Sequence, residues 1–179
     1  MKNIRLWLPV MALAGLISAG CFLVSGQFTV TFNFAPQIDI VSPTALAGQY
    51  IDLNTVSEYN DHKGDLKDVA DLAVLGQFTN LTGNAAAVEL WMVATPGVAL
   101  TTDAAVRASG QKIWGPLNLP ANGSVNVGWD QSAALVTGRQ ALITEIKGDG
   151  EFSLYALANG TYSFRINKGA LIAVISAGK

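Results

Sequence analysis

Five oxygen-bearing side chains crowd one polar stretch of this chain: Glu58, Asn60, Asp61, Asp65 and Asp68, with Gly64 among them to allow a sharp turn. Carboxylate and amide oxygens are the ligands of a hard cation, and Ca²⁺ takes about six to eight of them. Glu58, Asp61, Asp65 and Asp68 are therefore candidate calcium ligands. Their spacing is not that of an EF-hand loop. Lys63 and Lys67 stand between them and neutralise part of the charge, so a solvated charged loop is the competing reading.

The same stretch holds His62, the chain's one histidine. One imidazole cannot build a multi-histidine zinc site, and no serine sits in a G-x-S-x-G elbow that would make His62 the base of a triad. Pairs drawn from Asp130, Glu145 and Glu151 could hydrolyse a glycoside, but their spacing singles out none of them. Gly148-Asp149-Gly150 precedes a strand and so is no phosphate loop. No residue is assigned a catalytic role, and the expectation is a protein that is not an enzyme.

Aromatic side chains offer another chemistry, stacking on sugar rings. Trp91 alternates out of phase with Leu90 and Met92, so it faces the other side of its strand. Trp114 lies in an extended segment. Trp91 and Trp114 are the candidate stacking residues, whereas Trp129 shares a face with Val125 and Val127 and reads as core.

The elements that must carry these residues are short and mostly extended. Phe28, Val30, Phe32 and Phe34 alternate with Thr29, Thr31 and Asn33, the pattern of a half-buried strand. Further strands are expected at 37–41, 50–53, 72–80, 86–94, 113–119, 124–129, 152–157, 161–167 and 170–176. Turn signals include Thr82-Gly83-Asn84, Pro120-Ala121-Asn122-Gly123, Asn159-Gly160 and Lys168-Gly169. Strands 72–80 and 86–94 read as a hairpin, and 124–129 as a return strand after 113–119. Residues 54–71 read as a loop with a short helix. Leu66, Val69, Ala70 and Ala73 fall at helical spacing, which would let that helix run on. Thr102 or Asp103 caps a helix ending at Ser109, Asp130 caps one ending at Gly138, and 139–147 has helical spacing. The fold class is mainly β: an antiparallel β-sandwich, jelly-roll or Ig-like, with two or three short helical insertions. A membrane β-barrel would need longer alternating strands.

Composition narrows the partners. The chain is 50% hydrophobic and 13% charged, with a net charge of −2, against about 25% charged in a typical domain. No basic stripe is present, which argues against nucleic acid. One cysteine forms no internal disulfide.

That cysteine closes the most telling segment. Lys2 and Arg5 form a basic head, an apolar run follows from Leu6 to Ala19, and Ser18-Ala19-Gly20-Cys21 ends it. This is the layout of a secretory signal peptide. With Cys directly after small residues, it resembles a bacterial lipoprotein signal with its lipobox. The resemblance implies cleavage before Cys21, a diacylglyceryl group on its thiol, and a membrane partner reached through that N-terminal lipid. Phe22, where an Asp would favour inner-membrane retention, leans towards the outer membrane of a Gram-negative host. An uncleaved anchor from Leu6 to Val24, just long enough to span, and an ordinary cleaved signal are the alternatives. All three export the remainder. The expected organisation is a signal at 1–20, a lipidated Cys21 and tether at 21–27, and one sandwich domain at 28–179. The expected function is a lipid-anchored cell-envelope protein with a non-catalytic binding or structural role towards other envelope proteins or glycans. A carbohydrate-binding module with structural calcium is the alternative, and a hydrolase of envelope polymers a third reading.

Overall fold

The computed structural model describes residues 25–41, 46, 48–94 and 99–178. The expected signal and Cys21 lie outside the described residues. The chain is mainly β, in two antiparallel sheets. Its strands are β1 (Ser25–Asn33), β2 (Gln37–Val41), β3 (Gly48–Asp52), β4 (Leu66–Asn80), β5 (Ala86–Val93), β6 (Gln111–Leu119), β7 (Ser124–Val127), β8 (Glu151–Ala158) and β9 (Ser163–Gly178). Among the described residues four α-helices interrupt them, α1 (Ser57–His62), α2 (Asp103–Ser109), α3 (Trp129–Ala133) and α4 (Arg139–Lys147), with 3-10 turns at Leu53–Thr55 and Lys63–Asp65. No helix among the described residues is long and apolar enough to cross a membrane.

One sheet runs β1-β9-β4-β7, with β2 also on β9, and the other runs β3-β8-β5-β6. From β2 onward every connection but β5–β6 changes sheet. This order is that of a jelly roll, which settles the choice between jelly-roll and Ig-like. It also corrects two expected hairpins. β4 and β5 lie in opposite sheets, as do β6 and β7, so residues 81–85 and 120–123 cross the sandwich rather than fold back. Turn residues mark where a strand stops, and are the same whether the next strand pairs or crosses.

Asn80 ties the two crossings together. It is 1% exposed. Its amide donates to Asn84 O at 2.7 Å and Pro120 O at 3.1 Å, while Oδ1 accepts from the Thr82 N–H at 3.0 Å and the Thr82 hydroxyl at 2.8 Å. All its hydrogen-bonding capacity is used.

Three further expectations are corrected. β4 begins at Leu66, not near Leu72. Its register against β9 shifts between Leu66 and Asp68 and between Val69 and Asp71, and those irregularities break the period of two into something resembling helical spacing. Lys168-Gly169 does not reverse the chain: β9 runs straight through. There the β4 register steps from Leu75↔Ala170 to Gln77↔Asn167, two residues opposite one, with Lys168 at φ 49 and Gly76 at φ 144. At the same level the other neighbour changes from β1 to β2, across Phe34 N–H to Gly169 O and Lys168 N–H to Pro36 O. Finally, α3 is capped at Gly128, with Asp130 in its first turn, and the helix stops at Ala133.

The main core lies between the sheets, with Leu142 and Ile146 of α4 buried in it. A second apolar cluster of Val93, Val106, Tyr155 and Leu157 lies under α2. Burial on both sides explains the unbroken buried run Phe152 to Ala158 in β8. Thr102 caps α2, accepting from Ala105 N–H at 3.2 Å.

Candidate functional site

The acids of the polar stretch lie on three separate elements. Among the described residues no three His, Cys, Asp or Glu side chains are grouped to hold a metal. Glu58, Asp61, Asp65 and Asp68 are exposed and divided between α1, the turn after it and β4. Ser57 donates to Glu58 at 2.9 Å, and that carboxyl is held below its usual range chiefly by its own backbone N–H, then by Ser57. Asp68 accepts the Val69 N–H at 2.8 Å. His62 is exposed, its ring 5.2 Å from that of Phe28.

Trp114 is corrected outright. It is 0% exposed, with its ring stacked on Phe78 at 5.7 Å between centroids, so no sugar reaches it. Its strand has three consecutive buried residues, Ile113, Trp114 and Gly115, which hides the side from any alternation rule. Trp129 is half-buried rather than core. It opens α3 after β7 has ended, and its indole donates to Asp71 at 3.1 Å.

Trp91 does face outward, but in company. The Arg107 guanidinium lies 5.0 Å from its ring centroid. Its indole donates to Glu89 at 3.1 Å, Arg107 donates to the same oxygen at 2.8 Å, and Lys112 reaches the other at 3.2 Å. Burial alone would push Glu89 up, but these three donors together outweigh it and hold the carboxyl below its usual range. The helix that α2 forms brings Arg107 over β5, a contact that strand spacing does not reveal. The cluster carries one net positive charge and an aromatic ring. Its one carboxylate already accepts from three donors, and its cation and ring offer a surface for contact.

The outer side of the β9 sheet carries polar side chains in rows. Register places Asp39, Arg165, Thr79 and Ser124 in one row across β2, β9, β4 and β7, and Gln37, Asn167, Gln77 and Asn126 in the next. Arg165 grips Asp39 with two hydrogen bonds, at 2.6 and 2.9 Å, and this holds Asp39 below the ordinary carboxylate range. Thr79 and Ser124 hydroxyls meet at 2.8 Å, and Asn167 donates to Gln77 at 3.3 Å. Amides and hydroxyls both donate and accept, so the two rows form a flat array able to bind a hydroxyl-rich or amide-rich ligand. The alternation of each strand shows these residues as outward. Their joining into rows depends on strand order, which the sequence does not carry.

Between the sheets, beside β2 and β3, an apolar cleft lined by Phe34, Ile38, Ile40, Leu154 and Ile166 has room for about 20 Å³, roughly one water molecule. It is too small for a sugar or an acyl chain.

No family model matches the chain, and no curated protein matches it. Among solved structures, one from Desmodium yellow mottle tymovirus aligns over 86% of this chain and 89% of its own, at 9% identity and a TM-score of 0.28. One from infectious bursal disease virus aligns over 84% and 31%, at 10% identity and 0.21. At these scores neither likeness bears on fold or function.

Proposed function

We propose that this chain is an envelope lipoprotein, held to the membrane through lipid on Cys21, whose jelly-roll domain works by binding rather than by turnover. The observation that carries the anchoring is the closeness of sequence signal and fold: β1 begins at Ser25, four positions after Cys21. A lipid there would hold the sandwich against the bilayer surface, with no long tether for a free-ranging role. Binding is supported by how the best-placed acids are used. Glu89 accepts from Arg107, Trp91 and Lys112, Asp39 accepts twice from Arg165, and Glu151 accepts the Tyr50 hydroxyl at 2.8 Å. Fractionation tests the reading. The full chain should sediment with membranes and its Cys21→Ala variant should not; equal sedimentation of both would contradict it.

A glycan is the ligand class favoured by the two polar rows on the β9 sheet, in place of the buried Trp114. Detergent-solubilised full chain should co-sediment with insoluble envelope polysaccharide, and a Gln77→Ala/Asn167→Ala variant should lose that binding. Cleavage of the polymer, abolished by replacing one acid, would instead make the protein a hydrolase.

A further inference from the structure

β1 keeps one backbone edge without a strand partner among the described residues. β9 takes the other edge from Ser25↔Gly178 to Asn33↔Ala170 with no register shift. The Phe34 N–H donates to Gly169 O, and this fixes the phase of the strand. Even-numbered residues direct their amides and carbonyls to β9, so those of Gln27, Thr29, Thr31 and Asn33 point to the open edge.

Two other edges of this fold are covered. Along β6, Gly115 N–H donates to Leu135 O and Thr137 N–H to Ile113 O, both at 2.9 Å. Along the first half of β4, Val74 N–H meets Ser132 Oγ at 2.6 Å, and Arg139 and Lys147 donate to the carbonyls of Ala70 and Lys67. Among the described residues no hydrogen bond covers the open edge of β1; α1 touches the strand through His62, whose ring lies 5.2 Å from that of Phe28. The strand also has no charged residue, proline or bulge, the devices that keep an exposed edge from pairing.

Its sequence is Gln27-Phe28-Thr29-Val30-Thr31-Phe32-Asn33. Read from either end about Val30 it is the same, one amide standing for the other at the tips. We infer that β1 is a homodimer interface, along which a second copy of this chain pairs antiparallel about a twofold axis at Val30.

A twofold contact requires a surface complementary to itself, and this strand meets that requirement position by position. Thr29 falls opposite the copy's Thr31, Gln27 opposite its Asn33, and Phe28 opposite its Phe32. The phase agrees as well. Threonine and amide positions are those whose backbone faces the open edge, so they form the hydrogen-bonded pairs. Phe28–Phe32 and Val30–Val30 become the non-bonded pairs, where side chains approach more closely and aromatic contacts add stability. Phe28 and Phe32 are only partly buried while Val30 is 2% exposed, so the copy would cover the two aromatics that the single chain leaves partly open. The β9 sheet then continues through both copies, with Thr29 and Thr31 extending its polar side.

The test is the mass of the full chain in density-matched detergent by sedimentation equilibrium, beside two variants. Thr31→Pro removes an N–H that faces only the open edge and leaves the β9 ladder intact. Thr29→Lys, should the proline variant fail to fold, places charge in the seam. A dimer for the parent chain, weakened about a hundredfold or more in the folded variants, supports the interface. A parent chain that stays monomeric to about 100 µM overturns it. So does a dimer that persists in the folded variants, because it would use another surface.

Discussion

The hydroxyl of Ser132 accepts the indole N–H of Trp114 at 3.0 Å and the backbone N–H of Val74 at 2.6 Å. One buried oxygen thus joins α3 to both sheets, and it explains why a tryptophan that could have served a ligand is part of the core. Ser132→Ala leaves the Val74 N–H without this acceptor. A buried donor so orphaned costs about 1–3 kcal/mol, and Tm should fall by about 2–4 °C for each kcal/mol in a chain of this size. Thermal unfolding checks it; an unchanged Tm would mean that water replaces the hydroxyl.

Asn80 holds both crossings of the sandwich. Asn80→Ala removes four hydrogen bonds at once and should cost about 2–3 kcal/mol, read as a lower denaturant midpoint at constant slope. Exchange of the Asn122 amide, which bonds Thr82 O at 2.8 Å, should accelerate along with it.

Glu89 and Glu145 should respond to pH with opposite signs. Glu89 has a lowered pKa in the fold. Its contribution is therefore present above the unfolded value, about 4.3, and lost as pH falls through the folded one. The stability gap between parent and Glu89→Gln should be largest at pH 7, about 1 kcal/mol given partly exposed partners, and should shrink by pH 3. Glu145 is raised, by burial first and then by Asp149. Its contribution is present below the unfolded value and lost as pH rises through the folded one. Glu145→Gln should thus stabilise at pH 7 and not at pH 3. Denaturant melts at the two pH values decide both; gaps that do not change with pH would contradict the assignment.

Gly76→Ala tests the bulge where β9 exchanges β1 for β2. Gly76 has φ 144, and an added Cβ would stand 3.1 Å from Gly169 Cα. The substitution should cost about 1–3 kcal/mol, whereas Gly26→Ala, with open space around it, should cost little. Equal Tm values for the two variants would mean that the bulge relaxes freely.

The elements were largely legible, because period-two patterning and turn residues act locally. Phe28 to Phe34 alternates as a half-buried strand, and Thr102 caps its helix where expected. What the sequence hid is non-local. Nothing in Thr82-Gly83-Asn84 distinguishes a hairpin from a crossing, and the bulges of β4 mimic a helical period. The sequence hides the burial of Trp114 because its partner Ser132 lies on a helix whose placement no spacing rule gives. The same holds for Arg107 over Trp91, and for the rows that align Gln77 with Asn167.

In the proposed function Cys21 carries the lipid that holds the chain to the membrane. Intact mass spectrometry of the protein purified from membranes, beside Cys21→Ala, measures it directly. A chain beginning at Cys21 and carrying acyl groups, both features lost in the variant, is the predicted result. A chain cut without lipid, or left uncut from Met1, would contradict it.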